Sequence, residues 1–233
     1  MNEELEFENY LSISPHKFGI YLLDRKNLKN LYKEEILIDE SLNHNNLAVL
    51  NKFLDYNIFK IEKLSGKFIK NIFVILEDEK IFNLYLGIKR KNYSIFITKE
   101  YLESSLAEAK ELFRENNQNE NIMHMIIKKY FVNGKSYSSF EENLKSDHLA
   151  LEIQFKSISN TFVYELNKIL ENYQIKIVKY LDGSYVKNFF DNEKELSVMS
   201  HMILNGHNEN EVNFVAKNQN KSGFFEKFFQ LFS

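Results

Sequence analysis

Between residues 93 and 180 the spacing of apolar side chains switches from a strand period to a helix period and back, twice over. A strand is expected at 93–97. A helix follows at 100–113, capped by Thr98, burying Leu102, Leu106, Ala109 and either Leu112 or Phe113. Residues 122–132 are rich in strand formers and end at Asn133-Gly134, the strongest hairpin signal in the chain. Leu149, Leu151, Ile153 and Phe155 then alternate without a fault, as a strand with one dry face must. A helix over 162–172, capped by Ser159 or Asn160, and a strand over 175–180 complete the order β-α-β-β-α-β. That order folds as a small sheet with two helices on one face, an α+β layer.

The preceding part has strand-like alternation at 10–23 around Ser14-Pro15, a turn at 24–27, and short strands at 28–32 and 35–39. Leu47, Leu50, Leu54, Ile58 and Ile61 recur at helical spacing and predict a helix over 47–64, which Gly66 ends. Strands at 69–76 and 82–88 flank an acidic turn, and a change of unit is expected at the basic run Lys89, Arg90, Lys91. After Asp182-Gly183, a short amphipathic segment reaches Phe190 and a helix spans 193–204.

The last stretch, KNQNKSGFFEKFFQLFS at 217–233, does not read as core. On a helix period Phe224, Phe225, Phe228, Phe229, Leu231 and Phe232 share one side, and Glu226, Lys227 and Gln230 the other. Such a helix is far short of the about 20 residues that span a bilayer. It suits an interface instead, with Lys221 and Lys227 facing anionic lipid headgroups. The alternatives are docking on its own domain or on a partner, and disorder. The Asn/Gln/Lys/Ser run before it reads as a tether.

Thirty basic against 33 acidic residues give a net charge of −3 with no basic stripe, so nucleic acid is not expected as a partner. Without cysteine there is neither disulfide nor thiolate chemistry. The acidic N-terminus has no apolar stretch, and no signal peptide is expected. No phosphate loop, nucleophile elbow, HExxH or calcium loop is present. Asp24 at a strand end, His124 in an apolar strand, His148 beside Asp147, and His201 near His207 are isolated candidates that read as ordinary structural residues. No catalytic residue, cofactor or metal site is expected, and what remains is recognition through a sheet edge or groove together with a lipid anchor.

The segments Ile122-Met123-His124 and Tyr130-Phe131-Val132-Asn133-Gly134 are similar to the His…Tyr…Asp-Gly strand and turn of the FtsA family of actin-like bacterial cell-division proteins. Leu149-Ala150-Leu151-Glu152-Ile153 resembles its Leu-x-Val strand, and Asn167 with 173–178 the helix and strand that follow. Residues 18–32 and 47–75 look like its opening hairpin, helix and strand, and Glu193-Lys194-Glu195-Leu196 like the acidic start of its second large domain. The family's first phosphate loop would fall at Asp24-Arg25-Lys26-Asn27, where only the aspartate is kept. Its second phosphate loop and nearly all of its second large domain have no counterpart.

The resemblance implies an actin-like (ribonuclease-H-like) half domain at 10–88 and 181–206, with an inserted SHS2-type subdomain at 89–180. A tether at 207–222 and an amphipathic membrane-targeting helix at 223–233 follow. It implies a non-enzymatic adaptor of the division machinery, peripheral on the cytoplasmic face of the inner membrane, with midcell as one expected location. The partners would be anionic lipid, other division proteins and further copies of itself. The expected protein-contact surface is the small sheet around His124, Tyr130, Leu149, Leu151, Ile153 and Phe155. Two alternatives stand beside it: an adaptor of another envelope machine such as pilus assembly, and a small actin-like ATP-binding protein using Asp24.

Overall fold

The computed structural model describes residues 6–38, 46–78, 80–141, 144–190 and 194–212. Those residues divide into two compact units, one within 6–81 and 161–205, the other within 82–160 and 206–212.

Unit 1 is built on a mixed five-stranded sheet. β1 (Phe7–Ile13), β2 (Lys17–Asp24) and β3 (Lys29–Leu37) form an antiparallel meander, and β4 (Asn71–Leu76) lies parallel to β1. On the far side of β4 lies a parallel strand at Lys176–Asp182, called β9 in chain order. Ser14 and Pro15 do mark the first turn, with the Ser14 hydroxyl donating to the Lys17 carbonyl at 3.0 Å. Both faces of β2 are covered, which is why it reads as a nearly continuous apolar run. Phe18 packs on Phe53 of α1 (Asn46–Ser65), whose Leu50, Leu54, Ile58 and Ile61 are buried as their spacing predicts. Tyr21 and Leu23 face the other way, into a cluster with Val186, Val198, Met199 and Ile203. Those four residues belong to the short helix Gly183–Phe189 (α4) and the helix Leu196–Leu204 (α5).

Beneath α5, the Glu8 carboxylate accepts from Tyr10, lies 2.7 Å from His201 Nδ1 and pairs with Arg25 at 3.2 Å. Burial works to raise its pKa, but the hydrogen bonds from His201 and Tyr10 and the nearby positive charges outweigh burial and hold the carboxyl below its ordinary value of 4.5. A depressed carboxyl stabilises the fold fully above its unfolded value and less as pH falls through the folded one. Unit 1 is therefore expected to lose stability as pH drops below 4.5. Glu8→Gln should flatten that part of the curve in urea titrations run from pH 6 to 3. An unchanged acid limb would remove Glu8 from the account.

Unit 2 is an antiparallel sheet in the order β5-β8-β6-β7. Its strands are β5 (Phe82–Phe96), β6 (Glu120–Val132), β7 (Lys135–Tyr137) and β8 (Lys145–Ser159). The helix α2 (Lys99–Asn116) lies on one face, its first turn capped by Thr98, which accepts from the Tyr101 amide. Leu102, Leu106, Ala109 and Phe113 bury there with Ile88, Met125 and Ile127 and with Leu149, Leu151, Ile153 and Phe155 of β8. Phe113 stacks on Phe155 at 4.6 Å between centroids. Asn133 and Gly134 both take positive φ, 50° and 82°, as a two-residue hairpin turn demands.

The unit boundaries differ from the expected ones in two ways. Lys89, Arg90 and Lys91 do not separate units; they lie inside β5, which starts at Phe82 and runs on to Phe96. Arg90 pairs with Glu108 of α2 at 3.3 Å and donates to the Ser104 hydroxyl at 3.0 Å. Further on, α3 (Asn160–Glu171) from Thr161, and β9 after it, belong to unit 1, because β9 pairs with β4 and not with the small sheet. Unit 2 therefore carries one covering helix among the described residues, not two. The alternation of 175–180 announces a strand, but a strand's local pattern does not name its partner.

Candidate protein-contact surface

The six residues expected to form a contact sheet are core. Leu149 and Leu151 are each 2% exposed, Ile153 and Phe155 0%, Tyr130 2% and His124 0%. Alternation picks out the face of a strand that its own domain covers, so the apolar half of a half-buried strand is the side least available to a partner. His124 lies with Nδ1 2.7 Å from Oε1 of Glu211, itself buried. Tyr130 donates to Asn210 at 3.2 Å, and burial raises its phenol well above the ordinary value. Glu211 belongs to a short extended stretch on the edge of β6. The Ile127 amide donates to the Asn210 carbonyl at 2.9 Å, and the Val212 amide to the Met125 carbonyl at 2.8 Å.

What unit 2 exposes is β5. Among the described residues it is an edge strand, hydrogen-bonded on one side to β8. Its exposed large apolar side chains are Phe82 (39%), Tyr85 (60%), Tyr93 (78%), Ile95 (60%) and Phe96 (53%). Register with β8 breaks between Lys91 and Ile95, where the buried Asn92 amide bridges the Ile95 carbonyl at 2.6 Å and the Ser146 carbonyl at 3.2 Å. The bulge holds Tyr93 at φ 50°, a backbone region costly for an aromatic residue, with its ring in solvent. Beside it an open cleft of about 590 Å³ is lined by Lys91, Tyr93, Asn133, Asp147 and His148. The sequence did carry a signal for this edge. Tyr85, Lys89 and Lys91 alternate outward, and Tyr93, Ile95 and Phe96 continue an apolar run with no helical partner at their spacing.

In open sheets with parallel strands, small ligands bind beyond the carboxyl ends of those strands. Here those ends are in register: Ile13 faces Leu76, and Leu76 faces Asp182. Carboxylates fill this end. Asp182 accepts from the amides of Ser184 (2.9 Å) and Tyr185 (3.2 Å), and Glu77 forms an ion pair with the Lys187 ammonium. Gly183 is required by that packing, since a Cβ there would lie 2.5 Å from Glu77 Cγ.

Asp24, the candidate nucleotide or metal carboxylate, is at the opposite end of the sheet, facing Phe7 in register. It accepts from the Asn27 side chain at 2.7 Å and from the amides of Lys26 and Asn27 at 2.9 and 3.1 Å. The Asn27 side-chain bond is the main cause holding its carboxyl below the usual value. Asp24 is thus a turn residue of the β2–β3 hairpin. Among the described residues no three His, Asp or Glu side chains come together as a metal set.

No described helix is long and apolar enough to cross a membrane. The expected lipid-facing residues Lys221, Phe224, Phe225, Lys227, Phe228, Phe229, Leu231 and Phe232 lie outside the described residues.

No protein-family profile matches the chain, and no curated protein matches it. Solved structures similar to it include a PilM–PilN type IV pilus biogenesis complex, at TM-score 0.49 and 8% identity over 79% of this chain and 49% of that one. Another is the cytoplasmic domain of EpsL, an inner-membrane component of the type II secretion system of Vibrio cholerae. It gives TM-score 0.41 and 7% identity over 77% of this chain and 58% of that one. A third, from Bacteroides thetaiotaomicron, is described as having an actin-like ATPase fold and unknown function, at TM-score 0.33 and 16% identity over 80% of this chain and 56% of that one. The chain thus spans 49% to 58% of these proteins' resolved length.

Proposed function

We propose that this chain is a non-enzymatic, membrane-associated adaptor of a bacterial envelope assembly, working through protein contacts of unit 2 and a lipid contact of its C-terminal segment. We base this on the contrast between two edges. The end of the unit 1 sheet where a nucleotide would sit is occupied by Asp182 and by Glu77 paired with Lys187, while the unit 2 sheet leaves an aromatic edge strand open to solvent. A triphosphate brought to the first edge would meet two carboxylates and an ammonium already engaged. The second edge offers main-chain groups and alternating pockets to an added strand from a partner or another copy. The half-domain organisation and the amphipathic tail are the parts of the FtsA-like pattern that this role uses. In this proposal the assembly served is the division machinery or a pilus or secretion apparatus.

ATP with magnesium at millimolar concentration is expected to leave the melting temperature unchanged, because a ligand that binds only the folded state would raise it by linkage. A clear upward shift would replace the adaptor with a nucleotide-binding protein. A fluorescent fusion separates the assemblies: a midcell band favours division, and signal at poles or along the envelope favours the others. A uniformly cytosolic signal would defeat the membrane part.

A further inference from the structure

The outer face of α1 in unit 1 has no role in the function proposed above. Its buried side is fixed by Leu50, Leu54, Asn57 and Ile61. Diametrically opposite, at spacings of three and four, run Lys52, Tyr56, Phe59 and Lys63. Tyr56 is 63% and Phe59 69% exposed; Leu64 in the last helical turn (55%) and Phe68 past the helix end (82%) add further exposed apolar surface. Lys60 lies over the Tyr56 ring at 3.4 Å, and Lys67 and Lys70 follow in the exposed loop. The two acidic groups on this helix are turned to structural tasks. Asp55 accepts from Tyr173 at 2.7 Å, and Glu62 from the Ile69 amide at 3.0 Å.

We infer that this stripe is a second lipid-contacting surface, specific for anionic membrane. The inference rests on the membrane-associated part of the proposed function. The stripe is the convex ridge of one helix, so its rings project outward and do not line a groove. Projecting rings flanked by lysines that can reach past them match a planar interface, where rings enter the acyl boundary and ammoniums stay with phosphates. The five lysines of the patch, Lys52, Lys60, Lys63, Lys67 and Lys70, supply the complementary charge.

The test is flotation of the full chain on vesicles of phosphatidylcholine with and without phosphatidylglycerol. Four proteins are compared: the unaltered chain, a stripe variant (Tyr56→Glu with Phe59→Glu), a tail variant (Phe228→Glu with Phe229→Glu), and both together. Because the stripe side chains are exposed, the stripe variant should melt as the unaltered chain does. The stripe variant is expected to partition about tenfold less onto anionic vesicles, from loss of two inserted rings and added repulsion. The tail variant should keep a weaker, salt-sensitive binding to anionic vesicles that the combined variant lacks. If the stripe variant binds as the unaltered chain does while the tail variant does not bind, the second surface is overturned and the membrane adaptor stands. If the unaltered chain fails to float on anionic vesicles, the membrane reading falls and the stripe proposal with it. A benzophenone side chain placed at position 59 should cross-link lipid. Cross-linking only to protein would overturn the lipid assignment.

Discussion

Phe155→Ala should lower the stability of unit 2 by about 3–5 kcal/mol. The ring is fully buried, stacks on Phe113 at 4.6 Å and sits among residues from α2 and the central strands. Removing it takes away both its transfer energy and the contacts that close the space between helix and sheet. The same substitution at Tyr85, 60% exposed on β5, should stay within about 0.5 kcal/mol. Urea midpoints at unchanged slope measure both. Partner binding should respond in the opposite order, with Tyr85→Ala weakening it and leaving the fold intact. A Phe155→Ala protein as stable as the unaltered chain would mean that this face is not the core.

Glu211→Ala should cost a similar amount, about 3–5 kcal/mol, by removing one member of a buried carboxylate–imidazole pair. His124 and Glu211 are both buried and 2.7 Å apart, so water cannot readily replace the lost oxygen. Glu211→Gln keeps an acceptor at the same reach and should recover much of the loss. Hydrogen exchange at Ile127 and Val212 gives a local readout, since their amides bond across this seam. Protection unchanged in the alanine variant would show that the seam holds without the pair.

Local chemistry was legible in the chain. The Asn133-Gly134 turn, the Thr98 cap, the buried side of α1 and the dry face of β8 follow from residue type and period, and the structure has each of them. Phe113, not Leu112, takes the inward position at the end of α2; Leu112 is 37% exposed. Non-local pairing was not legible. Nothing in 175–180 distinguishes a parallel neighbour of β4 from a fourth antiparallel strand, so the unit boundary was placed too late at its first crossing and again at its second. His124 reaches its carboxylate 87 residues away, and His201 reaches Glu8 across 193. Period analysis cannot see such partners. The contact surface was misplaced for a related reason. Alternation identifies what a domain covers, whereas a partner meets what the domain leaves bare. On β5 that surface depends on strand order, which only the assembled sheet discloses.

One consequence of the β6 seam is mechanical. The chain leaves unit 1 after Asn205 and is stitched to β6 at Asn210 and Val212. Tension drawn on the chain at Val212 is therefore borne by the antiparallel sheet before it can reach the mixed one. Those two main-chain bonds and the Glu211 contact are the first links to bear it, and their rupture force sets how hard the tail can be pulled before α5 begins to carry load.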